Sequence, residues 1–350
     1  KEGNQVGIIG GTGSGKSSLV SLIPRLYDVS EGEVLIGGQN VKSLSLHELR
    51  DKIGIVLQES ILFSGTIGTN FKFGYHEATQ EELDDVAKDA QASEFMQSKE
   101  DGYETVVEQR GKNLSGGQKQ RVSIARTLIR NPKILILDDS TSAVDTKTDS
   151  LIRKAFAEEI PNTTKIIIAQ RISSVQHADL IIVMDNGKIQ QIGTPLDVYN
   201  EPVNAFVADF IGESNILDGI MREDKLVEMF GHKFECVDVG FEKNEPVDVV
   251  VRPEDIDVVS EGEGQLSGVV SSITFKGVHY EIIVDINNFK WMIQSTDSPA
   301  VGDRIGISIP PQDIHIMKKS EYSGMFGDYS TFSDEMELLN EVEVDGEDET

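Results

Sequence analysis

The sequence predicts two folded parts: an α/β domain built on a mostly parallel sheet and, after about residue 215, a small all-β domain. Three observations carry this. An apolar run, Val6-Gly7-Ile8-Ile9, leads through Gly10-Gly11-Thr12-Gly13-Ser14-Gly15-Lys16-Ser17 into a stretch with apolar residues at helical spacing (Leu19, Val20, Leu22, Ile23, Leu26). Further apolar runs at 134–137, 166–169 and 180–184 alternate with helical segments, the pattern of a parallel sheet covered on both faces. Beyond residue 215, short β-branched runs separated by turns replace that alternation.

In chain order, a strand at 6–9 is followed by a Gly-rich loop and a helix from Lys16 to about Leu26. A helix spans 116–130 and stops at Asn131-Pro132, because the residue before a proline is steered out of the helical region. Asp185-Asn186-Gly187 predicts a tight hairpin turn after the strand at 180–184. In the all-β part the strands fall at 247–251, 268–273, 280–284, 304–309 and 314–317. The expected division is 1–215, 216–320 and a tail at 321–350.

Composition narrows the class. The chain has 350 residues, 38% hydrophobic and 26% charged, as in an ordinary globular protein with two or three domains. Its longest apolar runs are strand-sized, far short of the ~18 residues that cross a bilayer. No N-terminal run has the layout of a secretory signal, so a cytosolic chain is expected. A single cysteine, Cys236, excludes an internal disulfide framework and a multi-cysteine metal site. The net charge of −28 argues against a nucleic-acid surface, which needs a basic stripe. Residues 321–350 hold eleven Asp or Glu and no Lys or Arg, which predicts a solvated, disordered tail.

Three motifs carry chemistry. The first, 10–17, is a P-loop: its glycines let backbone N–H groups curl around phosphates, Lys16 reaches the β and γ oxygens, and Ser17 can hold Mg²⁺. The helix that follows adds its positive dipole end. The second is Leu114-Ser115-Gly116-Gly117-Gln118, a hydroxyl and bare backbone N–H groups at a helix start; taken alone, it also reads as an N-cap followed by a Gly-rich turn. The third is the apolar strand ending in Asp138-Asp139.

With these motifs in this order, residues 1 to about 190 resemble the nucleotide-binding domain of ATP-binding cassette (ABC) transporters. The resemblance implies a P-loop NTPase domain with a helical subdomain, binding ATP and Mg²⁺. It implies nucleotide contacts from Gly10, Gly11, Thr12, Gly13, Ser14, Gly15, Lys16, Ser17 and Ser18. Metal would be held by Ser17, Gln58 of Val56-Leu57-Gln58-Glu59, and Asp138. Ser142-Ala143-Val144-Asp145 fits the D-loop. Two such domains sandwich two ATPs in this family, so Ser115, Gly116, Gly117 and Gln118 would act on the nucleotide held by a partner, and Asp145 is expected among the nucleotide-binding residues. The family's adenine-stacking aromatic falls upstream of Lys1.

Two positions depart from the pattern. The family usually has Glu after the metal-linked Asp; Asp139 is one methylene shorter and sets its carboxylate about 1.5 Å further back. Gln170, in Ile168-Ala169-Gln170-Arg171, stands where the family places a His; it can donate a hydrogen bond but carries no charge. Both changes in one pocket predict a site that binds ATP and hydrolyses it slowly, since ~1 Å of misplacement can cost ~10²-fold in rate. With an intact 114–118 run, the pair resembles the degenerate half of heterodimeric ABC exporters. The runs 61–67 and 104–111 look exporter-like too, although Glu108-Gln109 departs from the usual Gly-Glu.

Residues of about 190–318 resemble the ATPase of bacterial spermidine/putrescine importers with its C-terminal TOBE domain, an OB-like β fold. The likeness is carried by Gly193-Thr194-Pro195, Val198-Tyr199-Asn200-Glu201-Pro202, Arg252-Pro253-Glu254-Asp255 and Asp313-Ile314-His315. The chain therefore reads as a mosaic whose switch falls near 181–193. The leading expectation is a polyamine-importer ATPase at the cytoplasmic face of the plasma membrane, in a homo- or heterodimer on membrane permease subunits. It would touch neither nucleic acid nor the transported substrate. The alternatives are the motor of a heterodimeric exporter, a non-transporting ABC ATPase, or a catalytically weak ATP-binding clamp.

Overall fold

A computed structural model describes residues 1–141, 143–169 and 172–320, so the expectations at Ser142, Gln170 and Arg171 and for the tail 321–350 lie outside the described residues. The chain divides into two compact units, Lys1–Asp197 and a second beginning at Val198.

In the first unit, β1 (Gln5–Ile9), β2 (Ile53–Val56), β3 (Ile134–Asp138), β4 (Thr164–Ala169), β5 (Leu180–Asp185) and β6 (Lys188–Gly193) form one sheet ordered β6-β5-β1-β4-β3-β2. All neighbours pair parallel except β5 and β6, whose connection has the left-handed φ values of a tight hairpin (Asn186 46°, Gly187 75°). β2 is not among the strands the sequence predicts. Its run is four residues long, the same length as the predicted runs at 6–9 and 134–137. Ile8, Val20, Ile53, Ile136, Ile168 and Met184 share one buried core.

Helix α1 covers Lys16–Ser21, shorter than the 16–26 that the spacing predicts. Pro24 explains the difference: it offers no N–H and disfavours helical dihedrals at Ile23, so the chain continues in tight turns. α2 (Leu46–Asp51) sits beside β2. A helical subdomain follows, comprising α3 (Ile67–Lys72), α4 (Gln80–Asp89), α5 (Ser93–Gln97) and α6 (Gly116–Leu128), with α3 and α4 packed on α6. Thr66, Thr79 and Ser115 each close a reciprocal capping box at the starts of α3, α4 and α6. α7 (Thr146–Glu158) then leads to β4.

α8 (Pro195–Asn200) spans the division, and α9 (Ala205–Ile211) belongs to the second unit. Ten strands follow among the described residues: β7 (Asn215–Glu223), β8 (Leu226–Met229), β9 (His232–Glu235), β10 (Glu245–Val251), β11 (Asp257–Val259), β12 (Leu266–Phe275), β13 (Tyr280–Ile286), β14 (Phe289–Ser295), β15 (Arg304–Ser308) and β16 (Ile314–Lys318). They build two antiparallel sheets, β9-β8-β7-β10-β16 and β11-β15-β12-β13-β14. Their inner faces share one core around the fully buried Trp291. Asn215 stitches the sheets together: its amide accepts from Met292 N and donates to Met292 O, both at 2.8 Å. Cys236 is a free thiol in this core, where burial raises its pKa.

The division falls earlier than the expected 215/216. The reason is α9, whose Ala205 and Ala208 pack with Ile216, Val250 and Met317. Its carbonyl end is closed by Arg252, which donates to Ala208 O (2.8 Å), Gly212 O (2.6 Å) and Ser214 Oγ (2.7 Å) while its guanidinium lies over the Tyr199 ring. Beside this cluster the Asp209 carboxyl is pushed up to about 6, mainly by burial and further by Glu213, with Arg252 opposing. A folded-state pKa raised above the unfolded value means that stability present at low pH is lost as pH rises through about 4 to 6. Asp209→Asn is accordingly expected to stabilise the chain at pH 8, by up to about 3 kcal/mol, and to leave it unchanged near pH 4. Thermal unfolding of both proteins across that range checks this; a variant less stable at pH 8 would contradict it.

Candidate nucleotide site

Parallel pairing fixes where the site must be. β1, β2, β3 and β4 all run the same way, with Val56 level with Leu137, Asp138 with Ile168, and Ile9 with Ala169. The residues that follow these strands therefore emerge at one edge of the sheet, where open α/β sheets place their ligands. Gly10, Gln58 and Asp138-Asp139 all lie there.

The P-loop wraps the start of α1. Gly10 has φ 152°, and a Cβ on it would lie 2.1 Å from Met184 O; Gly15 has φ 92°. Only glycine takes this path without strain. The hairpin after β5 braces the loop from behind, with Gly187 N donating to Ser14 O at 3.1 Å. Lys16 is buried, and its ammonium donates to Gly10 O and Gly11 O at 2.7 Å and to Ser14 Oγ at 3.1 Å. Burial lowers its pKa, while the nearby Asp138 and Asp139 carboxylates pull the other way. Thr12, Gly13, Ser17 and Ser18 are exposed around it.

Asp138 ends β3, and Asp139 turns away from the strand in a left-handed conformation, φ 45°. Its N–H donates to Ile168 O at 3.0 Å, and Gln58 Nε2 donates to its Oδ2 at 3.3 Å. Gln58 and Asp139 are thus brought together from separate loops.

The 114–118 run starts α6 with a capping box. Ser115 Oγ accepts from Gln118 N at 3.2 Å, and Gln118 Oε1 accepts from Ser115 N at 3.0 Å, so the hydroxyl is a true N-cap. The two glycines lie inside the first turn of α6 rather than in a turn of their own. They are small because Ala143 sits over them: a Cβ on Gly117 would be 2.9 Å from Ala143 O. Among the described residues no hydrogen bond links this run to 10–18, and Ser115 and Gly116 face solvent. Asp145 caps α7 through Thr148 N at 3.0 Å, which with the Thr148 hydroxyl holds its carboxyl below the usual range. Gln120 is a residue that the sequence reading misses; its Oε1 accepts from Ala143 N at 3.1 Å and ties α6 to the 139–145 loop. Its burial is the signal, and that depends on tertiary packing.

Residues 1–142 match the family described as ABC transporter, and residues 249–317 match the TOBE domain. The chain belongs to the ATP-binding subunits of ABC transporters, and is an ATPase of that family. The relative in Desulfitobacterium hafniense (strain Y51), a spermidine/putrescine import ATP-binding protein PotA, is 40% identical over 316 residues, 89% of each chain. The protein of the same description in Clostridium novyi (strain NT) is 42% identical over 320 residues, again 89% of each. Among solved structures, a bacterial Atm1-family ABC exporter with ATP bound superposes with a TM-score of 0.58 at 40% identity, over 60% of this chain. This chain spans 36% of that exporter's length. Likeness to the importer ATPases therefore extends through both units, whereas likeness to the exporter covers a smaller part. Among the described residues no helix is long and apolar enough to cross a membrane.

The backbone of Gly10 yields a direct check. Gly10→Ala must displace Met184 O or the P-loop itself, and a loss of at least about 2 kcal/mol is expected. Gly13→Ala, at φ 80° with open space around it, carries only the about 1–2 kcal/mol cost of its dihedral. Equal melting temperatures for the two variants would contradict this ranking.

Proposed function

We propose that this chain hydrolyses ATP for a bacterial importer of polyamines such as spermidine and putrescine. It would work as one of two ATPase subunits, in a homo- or heterodimer, seated on permease subunits at the cytoplasmic face of the plasma membrane. The observation that carries this is the 40% identity to importer ATPases over 89% of the chain, TOBE domain included. The transported molecule would pass through the permease and touch no residue of this chain.

In this reading Gly10 to Ser18 cradle the phosphates of ATP, and Lys16 exchanges its two backbone carbonyls for β and γ oxygens. Ser17, Gln58 and Asp138 offer hydroxyl, amide and carboxylate oxygens, a hard donor set suited to Mg²⁺. A Mg²⁺ held by these residues would supply charge neutralisation to the phosphates. Asp139 orients the attacking water, from a short side chain already engaged by Gln58. Ser115, Gly116, Gly117 and Gln118, presented at the start of α6, close over the nucleotide of the partner subunit. Gln170, standing in the sequence where the family places a His, offers a neutral donor in its stead. The Asp139 and Gln170 substitutions make this chain's own site slow.

Two experiments test these assignments. Asp139→Glu combined with Gln170→His is expected to raise steady-state ATPase at least severalfold; an unchanged rate would sink the slow-site account. In cells that depend on this chain and its permease pair, labelled putrescine uptake is expected to stop with Lys16→Ala while the variant still co-purifies with the permease. Uptake that persists would remove either Lys16 from the site or polyamines from the substrate class, and ATP binding by the purified variant tells which.

A further inference from the structure

Arg153 lies on α7, two turns beyond its cap, with a side chain only 19% exposed. Its guanidinium reaches three segments. Nε donates to Asp149 Oδ2 at 2.7 Å, one turn earlier on the same helix. Nη1 donates to the carbonyl of Ser174, in the short turn Ile172–Ser174 that follows β4. Nη2 donates to Thr141 Oγ1 at 3.4 Å, two residues past Asp139.

The space behind that turn is not filled by packing. A cavity of about 20 Å³ lies there, lined by Leu137, Asp139, Ser140, Phe156, Ile168 and Arg153 among others. Asp139 also takes a left-handed φ of 45°, a conformation that aspartate tolerates. Beside that void a planar five-donor fork held by a carboxylate can tie the flanking segments together.

We infer that Arg153 is a positioning residue for hydrolysis: it clasps the turn bearing Asp139 to the turn that follows position 170, so that both segments are held in one arrangement. The inference rests on the proposed role of Asp139. It separates two properties. The P-loop is not among the segments that Arg153 holds, so nucleotide affinity is independent of it. The rate is not, because the Asp139 carboxylate gains freedom when the clasp is lost.

The test uses the full chain, with steady-state ATPase and equilibrium ATP binding measured together. Arg153→Met, which keeps bulk and removes the donors, is expected to lower kcat about tenfold or more, with KM and ATP affinity within about twofold. Arg153→Lys keeps a charge for Asp149 but cannot fork to Ser174 and Thr141 together, so kcat is expected to fall in the same direction. Adding Thr141→Val to Arg153→Met is expected to cost little more, because both act through one contact. An unchanged kcat in the folded variants overturns the inference. So does a loss of ATP affinity as large as the loss of rate, or full additivity with Thr141→Val. If Arg153→Met does not fold, Arg153→Lys decides alone. A wild-type chain that neither binds nor hydrolyses ATP would overturn the proposed site and the inference with it, whereas an active wild type with active variants overturns only the inference.

Discussion

Everything at the candidate site depends on four strands pointing the same way. Hydrogen bonding between β1, β4, β3 and β2 sets the ends of the strands level, and the residues that leave those ends have no choice but to share an edge. The P-loop, Gln58 and the Asp138-Asp139 pair come from positions as far apart as 10 and 139 in the chain. A slip in any of these ladders would move one member away from the rest, and none of the local motifs could correct it. The P-loop is additionally locked from behind by the β5–β6 hairpin, through Gly187 N to Ser14 O and the close approach of Met184 O to Gly10.

The parts of the site legible in the sequence are those whose chemistry dictates both residue type and spacing. A loop that must bring bare N–H groups to an anion needs glycines at set intervals, and the 10–17 and 114–118 runs announce themselves for that reason. Strands with long apolar runs were legible as well. β2 was passed over although its run is as long as those at 6–9 and 134–137, and Gln120 was not legible, because its partner Ala143 is supplied by a different segment. The end of α1 was written plainly in Pro24, which outweighs the apolar spacing that runs through it. The turn between β13 and β14, which the sequence analysis does not predict, uses Asn287 and Asn288, residue types that tolerate the left-handed values of 53° and 64° they adopt.

The mosaic expected from the sequence gives way to one likeness to importer ATPases over 89% of the chain, with the exporter likeness overlapping it over 60%. The helix-starting serine illustrates why one motif serves both purposes. Ser115 caps α6 with its own hydroxyl and Gln118, so the run is a rigid structural element even in an isolated chain. In the proposed dimer, that exposed element is what a second subunit would read.

The Arg252 cluster bears on how such a chain can be assembled from parts. The carbonyl end of α9 is satisfied by an arginine that belongs to the β-sheet unit, some forty positions later. Cutting the chain at the change of texture near residue 215 would leave those carbonyls without their donor, so α9 and the sheets form one structural piece.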